Sequence, residues 1–247
     1  MENADTSATT PLLLDQAREL ATYVNTLSHS DIKKTMHVSD KLAQTTSDTF
    51  RGWTDNPRAQ RPAIDSFLGD IYSGMQVGNW TEEDRQYANK HLRILSGLYG
   101  ILRPLDGIYP YRLEMGYKLP DVRYKNLYMF WSDIIASTLP ENEMIVDLSA
   151  VEYGKTVTSF VDSKQIITPR FLTIHPKTHE PTFVVVHAKI ARGAFASWMI
   201  RHRIEDPVRL KEFNEIGYEY NAAMSTNDVP VFICKEFGGI GLSVRLT

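Results

Sequence analysis

The stretch from Leu92 to Arg103 carries the first residues whose type and spacing could bind a ligand. Two glycines, Gly97 and Gly100, lie three residues apart between a predicted helix and a second apolar stretch. Because glycine has no Cβ, the backbone can turn tightly there and its N–H groups can approach phosphate oxygens. The spacing resembles the hairpin of a helix-hairpin-helix, which contacts the phosphate backbone and reads no bases. The alternative interpretation is a buried turn with Tyr99 in the core.

Two stretches of the chain are basic although the whole protein is not. The formal net charge at pH 7 is -3. Residues 90–125 contain seven Lys and Arg against three Asp and Glu, and residues 189–211 contain six against two. If the fold brings both stretches to one groove, they form a basic cleft that attracts double-stranded DNA. The residues predicted to contact the DNA backbone are Lys90, Arg93, Gly97, Tyr99, Gly100, Arg103, Arg112, Lys189 and Arg192.

Carboxylates near lysines suggest a second kind of site. Asp70, Glu152 and Lys155 are candidates for acid–base chemistry on a nucleotide or a nucleobase. The alternative is that such residues form structural ion pairs, as Arg112 could with Glu114. The sequence contains no nucleophile–base pair and no phosphate-binding loop of known spacing, so it leaves open whether the protein is an enzyme.

The histidines and the single cysteine predict no metal site, and no cofactor is expected. His29 and His37 lie eight residues apart and His175 and His179 bracket a predicted turn, but no carboxylate stands at ligand spacing to complete either pair. Cys234 alone excludes a disulfide within the chain. It lies in an apolar run, which predicts a buried strand residue; the alternative is a thiol that senses peroxide.

Composition predicts a cytoplasmic protein with one domain. Residues are 43% hydrophobic, which is enough for a substantial core in 247 residues. The first ten residues are polar and lack the basic start of a secretion signal, and no apolar run approaches the ~20 residues that span a bilayer. The sequence therefore predicts a disordered tail at residues 1–9 and a domain at residues 10–247, with no membrane and no protein partner.

Apolar spacing and capping residues predict the elements that position these residues. A helix is expected after Thr10-Pro11, where proline follows a capping threonine. Thr81 and Asp84 have the spacing of a capping box. Further helices are predicted at residues 41–50, 63–68, 126–139 and 191–204, and strands at residues 144–149, 165–174, 181–190 and 230–237. Because helices dominate the first half and strands the second, we expect an α/β (α+β) fold with a mixed sheet flanked by helices.

Several blocks of the sequence resemble the peroxide-stress YaaA family. The signature block covers residues 91–106 and continues through residues 109–115. The other matching blocks are Ser-Asp-Lys-Leu-Ala at 39–43, Gly-Asp-Ile-Tyr at 69–72, residues 127–135 with their Phe-Trp-Ser-Asp core, Asp-Leu-Ser-Ala-Val-Glu-Tyr at 147–153, and His-Ala-Lys-Ile-Ala-Arg-Gly at 187–193. They follow the family order from about residue 12 to residue 237.

The resemblance implies a compact α/β fold with a helix-hairpin-helix and a positively charged cleft. It also implies DNA binding and a role in limiting oxidative damage by keeping unincorporated iron low. One departure concerns the start of the chain, because family members open with an apolar strand and a Ser-Pro-Ala-Lys-Thr motif that is absent before Thr10-Pro11. We expect either a truncated product or the loss of a lysine from the cleft.

Overall fold

A computed structural model describes residues 8–53, 60–120 and 125–243, with helices in all three ranges and short strands in the second and third. The helices are α1 (Leu14–Asn25), α2 (His29–Met36), α3 (Asp40–Arg51), α4 (Ala63–Ser66), α5 (Asp70–Met75), α6 (Glu82–His91), α7 (Leu127–Trp131), α8 (Val151–Thr158) and α9 (Val185–Arg201). The strands are β1 (Arg61–Pro62), β2 (Ile94–Ser96), β3 (Gly100–Leu102), β4 (Gly107–Ile108), β5 (Ile145–Val146), β6 (Ile166–Ile167), β7 (Arg170–Ile174), β8 (Pro181–Thr182), β9 (Tyr218–Tyr220) and β10 (Val231–Cys234).

The described residues pack into two compact units, and the chain passes between them several times. The first unit contains the described parts of residues 1–66, 92–140 and 150–161. The second unit contains residues 67–91 and 141–149 and the described part of residues 162–247. The one-domain boundary at residue 10 stays a prediction. Of the predicted tail, residues 1–7 lie outside the described residues, and the Thr9 N–H donates to the Leu105 carbonyl at 2.9 Å.

The first unit is mainly helical around two small antiparallel sheets. Strand β1 pairs with β4, and β2 pairs with β3. Trp131, at the end of α7, is fully buried and donates its indole N–H to the Gly97 carbonyl at 3.1 Å. This bond joins α7 to the segment between β2 and β3, so the family signature block forms the centre of this unit.

The second unit is built on a four-stranded sheet in the order β8-β7-β10-β9. Strand β10 runs parallel to β7 and antiparallel to β9. Helix α9 packs on this sheet through an aromatic core that includes Phe171, Phe195, Phe213 and Phe232. Burial of these large side chains supplies the main hydrophobic stabilisation of the unit.

Local signals at helix starts predict the structure well. The Ser39 side chain accepts from the Leu42 N–H and caps α3. The capping box at α6 is confirmed, because Asp84 N–H donates to Thr81 Oγ1 at 3.1 Å and Thr81 N–H donates to Asp84 Oδ2 at 3.0 Å. The same motif begins α2, where Ser28 and Asp31 form a capping box. Helix α2 was not predicted, although this signal was present in the sequence.

Several predicted elements differ from the structure. The strand expected at residues 165–174 is divided into β6 and β7. The strand expected at residues 181–190 ends at Thr182, and α9 begins at Val185. Three consecutive valines at residues 184–186 favour a strand. The Ala-rich sequence after them favours a helix, and this helix includes Val185 and Val186. The central strand expected at residues 144–149 is only β5, which pairs with β6 in a two-stranded sheet. The helix expected at residues 126–139 is divided into α7 and a 3-10 turn at Ala136–Thr138, because Ser132 has a positive φ of 42°.

Candidate functional site

The glycine segment predicted to bind phosphate is buried in the first unit. Residues 97–100 are all buried, and the side chains of Leu98 and Tyr99 have no exposed surface. A Cβ on Gly97 would lie 2.1 Å from the Leu113 carbonyl oxygen, and one on Gly100 would lie 2.8 Å from the Trp131 ring. The two glycines therefore allow close internal packing, and the geometry gives no support to the prediction that Gly97, Tyr99 and Gly100 present donors to a phosphate.

The same segment is a β-hairpin and not the hairpin of a helix-hairpin-helix. Strands β2 and β3 pair in antiparallel register, with Ser96 opposite Gly100. The Tyr99 N–H donates to Ser96 Oγ at 2.9 Å, so this backbone donor is already used. Helix α6 ends at His91, and a strand follows the turn where the motif requires a second helix. The spacing of the apolar residues suggested a helix. Ile94, Ile101 and Leu102 belong instead to short strands in which neighbouring residues on both faces are buried or half-buried.

Arg103 is committed to a buried ion pair. Asp106 has no exposed surface, and it accepts hydrogen bonds from the Arg103 guanidinium at 2.8 Å and 3.1 Å. Asp106 also accepts from the Arg103 backbone N–H at 2.8 Å and from Thr9 Oγ1 at 2.6 Å. A third bond from the guanidinium reaches the Thr10 carbonyl at 2.8 Å. The guanidinium therefore neutralises Asp106, and the prediction that it neutralises a phosphate is not supported.

The remaining predicted cations fall in different units. Arg93 and Arg112 belong to the first unit, and Lys90, Lys189 and Arg192 belong to the second. Arg192 donates to the Ser149 carbonyl at 3.0 Å, and burial lowers the pKa of its guanidinium against the opposing effect of Asp147. Lys189 is exposed on α9 and Lys90 is exposed at the end of α6. A common groove for the two basic stretches stays a prediction.

The structure brings two of the family blocks together at Glu152 in the first unit. Glu152 Oε1 accepts from the Gly116 N–H at 3.0 Å. The Glu152 carbonyl accepts from the Tyr128 hydroxyl at 2.9 Å. We call this meeting point of the segment around Gly116, helix α7 and helix α8 the Glu152 junction. Among the described residues, Glu152 Oε2 makes no hydrogen bond.

Charged and phenolic groups surround the Glu152 junction. Burial and, to a smaller extent, the negative charge of Glu152 raise the pKa of Tyr153 to about 12. Burial also raises the pKa of Tyr117, with Glu114 adding to the effect and Arg112 opposing it. Arg112 donates to Glu114 Oε1 at 3.0 Å, which is the ion pair expected as an alternative in the sequence, while its buried Nε–H has no partner.

The junction contains functional candidates that the sequence did not identify. The missed residues are Tyr117 and Tyr128, together with Lys118 and Lys125 as members of a local cluster. A dense run of tyrosines between residues 109 and 128, which overlaps the basic stretch 90–125, was the signal that could have found them. Lys155 is exposed on α8, one turn after Glu152. Asp70, the third catalytic candidate, belongs to the second unit.

Cys234 is a buried residue of β10, as the apolar sequence around it predicts. It has no exposed surface, and burial raises the pKa of its thiol to about 11. Reactive cysteines are thiolates with lowered pKa values in accessible positions, so this thiol has the opposite character. The alternative of a peroxide-sensing cysteine is therefore not supported by the geometry.

Cys234 should resist thiol reagents in the folded protein. At pH 7 we expect it to react with Ellman's reagent at least ~100-fold more slowly than free cysteine, because the raised pKa reduces the thiolate fraction. The rate should rise with pH toward 11, as measured by absorbance. Protein unfolded in guanidinium is the control and should react at the free-cysteine rate. Formation of a sulfenic acid in native protein as fast as in unfolded protein would contradict the assignment.

The described residues contain neither a group of metal-binding side chains nor a membrane-spanning helix. Among residues 8–53, 60–120 and 125–243, no group of three or more His, Cys, Asp and Glu side chains is arranged to hold a metal ion. Within the same ranges, no helix combines the length and the apolar character needed to cross a bilayer.

Comparison with known proteins defines the class of this mixed α/β chain. Residues 1–224 match the family model described as peroxide stress protein YaaA. The chain belongs to the peroxide stress protein YaaA family. It is 58% identical to a UPF0246 protein of Salinispora tropica over 96% of this chain and 90% of the relative. It is 42% identical to a UPF0246 protein of a Marinomonas species, over 92% of this chain and 88% of the relative, and 40% identical to one of Ruegeria pomeroyi, over 93% and 92%.

Proposed function

We propose that this protein acts in the cytoplasm during peroxide stress and binds the phosphate backbone of duplex DNA without sequence preference. The observation that carries the proposal is that each of the three segments meeting at the Glu152 junction bears an exposed lysine. Lys118 follows Gly116 by two residues, Lys125 precedes Tyr128 by three, and Lys155 follows Glu152 by three. The hydrogen bonds of the junction thus hold three lysine-bearing segments together.

The charge of these lysines is available to a ligand. Lys118, Lys125 and Lys155 are exposed, and none of them forms an ion pair with another described residue. Lysine binds phosphate as a point charge, and such contacts give affinity without base recognition. These lysines, and not the buried glycines or the ion-paired Arg103, are the proposed phosphate contacts. In the second unit, Lys90 and Lys189 remain candidates for further phosphate contacts.

We also propose that the protein lowers the level of free iron, as the family resemblance implies. Family membership is the support for that part, and it concerns the protein's effect in the cell. DNA binding is the part that the exposed lysines support, since a phosphate backbone needs only local positive charge. Protection of DNA and a low level of free iron would both limit oxidative damage.

Salt-dependent binding of scrambled duplexes tests the DNA interaction. We expect each of Lys118→Ala, Lys125→Ala and Lys155→Ala to weaken binding equally for all sequences and to flatten the plot of log K against log salt by ~0.9 per lost contact. Fluorescence anisotropy measures both quantities. Lys34→Ala is the matched control, because Lys34 is an exposed lysine on α2 of the same unit. Unchanged salt slopes in all three variants, or strong sequence preference, would contradict the proposal.

The second candidate function is an acid–base enzyme that acts on a nucleobase or nucleotide at the Glu152 junction. It is favoured by the unpaired Glu152 Oε2, by the unpartnered Arg112 Nε–H and by the neighbouring tyrosines. Glu152→Gln separates the two functions within the same experiment. It removes a negative charge beside the lysines, so the DNA account predicts equal or tighter binding, whereas the enzyme account predicts loss of substrate consumption in a metabolite extract.

A further inference from the structure

The segment after β10 crosses α9 and reaches α5 in the second unit. Its first residues are anchored, because the Phe237 ring stacks on His187 with ring centroids 3.9 Å apart. The Gly238 N–H then donates to the Ile216 carbonyl at 3.2 Å. Residues 239–243, which we call the C-terminal strap, continue past Ile190 to Asp70.

The C-terminal strap occupies both oxygens of the Asp70 carboxylate. The Ser243 N–H donates to Asp70 Oδ1 at 2.9 Å, and the Ser243 hydroxyl donates to Asp70 Oδ2 at 3.0 Å. The Leu242 N–H donates to Ser73 Oγ at 3.1 Å. A single serine of the same chain therefore satisfies the carboxylate with two adjacent donors.

Little else holds the strap in position. Ile240 and Leu242, its largest side chains, are 58% and 72% exposed, so they bury little apolar surface. Close approach depends on Gly241, where a Cβ would lie 2.2 Å from Ile190 Cδ1 and 3.4 Å from Asp70 Oδ1. Segments with few buried apolar contacts open locally at lower cost than core elements. The strap can therefore open while α5 and α9 stay packed.

We propose that the C-terminal strap is an internal occupant of a ligand site at Asp70. When the strap opens, the Asp70 carboxylate becomes free for a ligand that offers two adjacent hydrogen-bond donors, as Ser243 does. A guanidinium group and the vicinal diol of a ribose both present this arrangement. The closed strap is thus an autoinhibitory contact. The site is independent of DNA binding at the Glu152 junction, so either proposal can fail alone.

Chemical labelling of Asp70 tests whether the C-terminal strap shields its carboxylate. Carbodiimide coupling to an amine, followed by peptide mass spectrometry, measures how fast the carboxyl reacts. We expect slow labelling in the wild type and about tenfold faster labelling in Gly241→Val, whose added side chain would overlap the buried Ile190 side chain. Gly238→Ala is the matched control, because the nearest atoms to its added Cβ are 3.8 Å away, and it should behave as the wild type.

Ligand probes and hydrogen exchange complete the test. In Gly241→Val, a synthetic peptide of residues 239–247 should restore slow labelling, and millimolar arginine amide or adenosine should protect Asp70. Protection by one probe identifies the donor chemistry, and protection by neither overturns the ligand site. Equal labelling rates in the wild type and in Gly241→Val would contradict the claim that the strap shields Asp70. Loss of α9 amide protection in Gly241→Val would show that the strap is an integral part of the fold, which also overturns the proposal.

Discussion

Arg103→Ala should destabilise the first unit by about 3–5 kcal/mol, because it leaves the carboxylate of Asp106 buried without a counter-charge. Asp106 has no exposed surface, and the guanidinium supplies two of its hydrogen bonds. The remaining bonds from Thr9 and from the Arg103 backbone cannot compensate for a buried negative charge. Urea denaturation followed by tryptophan fluorescence measures the loss, since Trp131 lies in this core.

Arg51→Ala is the matched control for this effect. Arg51 and Asp48 form an ion pair with the same i,i+3 spacing, but their side chains are 66% and 53% exposed. Exposed pairs contribute little, so we expect a loss below about 1 kcal/mol. Replacement of both buried partners, in Arg103→Met with Asp106→Leu, should recover much of the stability lost in the single variant. A loss below about 1 kcal/mol in Arg103→Ala would mean that the buried pair does not stabilise the fold.

Arg103→Ala would also be a misleading test of DNA binding. A variant with a largely unfolded first unit loses binding whether or not Arg103 touches a phosphate. Substitutions at the exposed lysines avoid this problem, because they remove charge without exposing a buried carboxylate. The position of Arg103 in the family signature block is explained by packing of the block itself.

Gly193→Ala should destabilise the second unit by about 3 kcal/mol, at the upper end of the usual cost of overpacking. In an ordinary helix interior this change is favourable by about 1 kcal/mol, because alanine has the higher helix propensity. Here the added Cβ would lie 1.9 Å from the Ile71 carbonyl oxygen and 2.8 Å from the Met75 amide nitrogen. Both are backbone atoms of α5, so the whole helix would have to move. Thermal unfolding measures the effect.

Gly78→Ala controls for the general effect of adding a methyl group. Gly78 lies in the same unit with no atom within 4 Å of its added Cβ, and we expect a change within about 0.5 kcal/mol. Gly74→Ala should resemble Gly193→Ala, because its Cβ would lie 2.2 Å from the Ile190 carbonyl oxygen. Stability equal to the wild type in Gly193→Ala would contradict the close packing of α5 against α9.

Local patterns in the sequence predict local structure correctly. The incorrect predictions concern segments whose conformation depends on the residues packed around them. The capping residues Ser39 and Thr81 begin helices where expected, since a cap depends on neighbours within one turn. The strand at β10 was also predicted, because four consecutive apolar residues, Val231 to Cys234, favour a strand. Val185 and Val186 form the first turn of α9 and not a strand, because the helix that follows them decides their conformation.

The candidate site was harder to predict for the same reason. Gly97 and Gly100 were read as permissive for a ligand, but they permit the approach of Leu113 and Trp131. Nothing in the sequence distinguishes a backbone approached by a phosphate from one approached by another part of the chain. Glu152 was predicted as a functional candidate, whereas its partners Gly116 and Tyr128 come from distant segments. Only the fold brings them together.

We propose that the exposed lysines beside the Glu152 junction, and not the buried glycines, contact DNA. Acetylation footprinting measures this directly, because a lysine covered by a phosphate reacts more slowly with acetic anhydride. With a scrambled duplex at low salt, Lys118, Lys125 and Lys155 should become several-fold less reactive while Lys34 does not change. Unchanged reactivity of the three lysines in a protein that is bound to the duplex would contradict the claim.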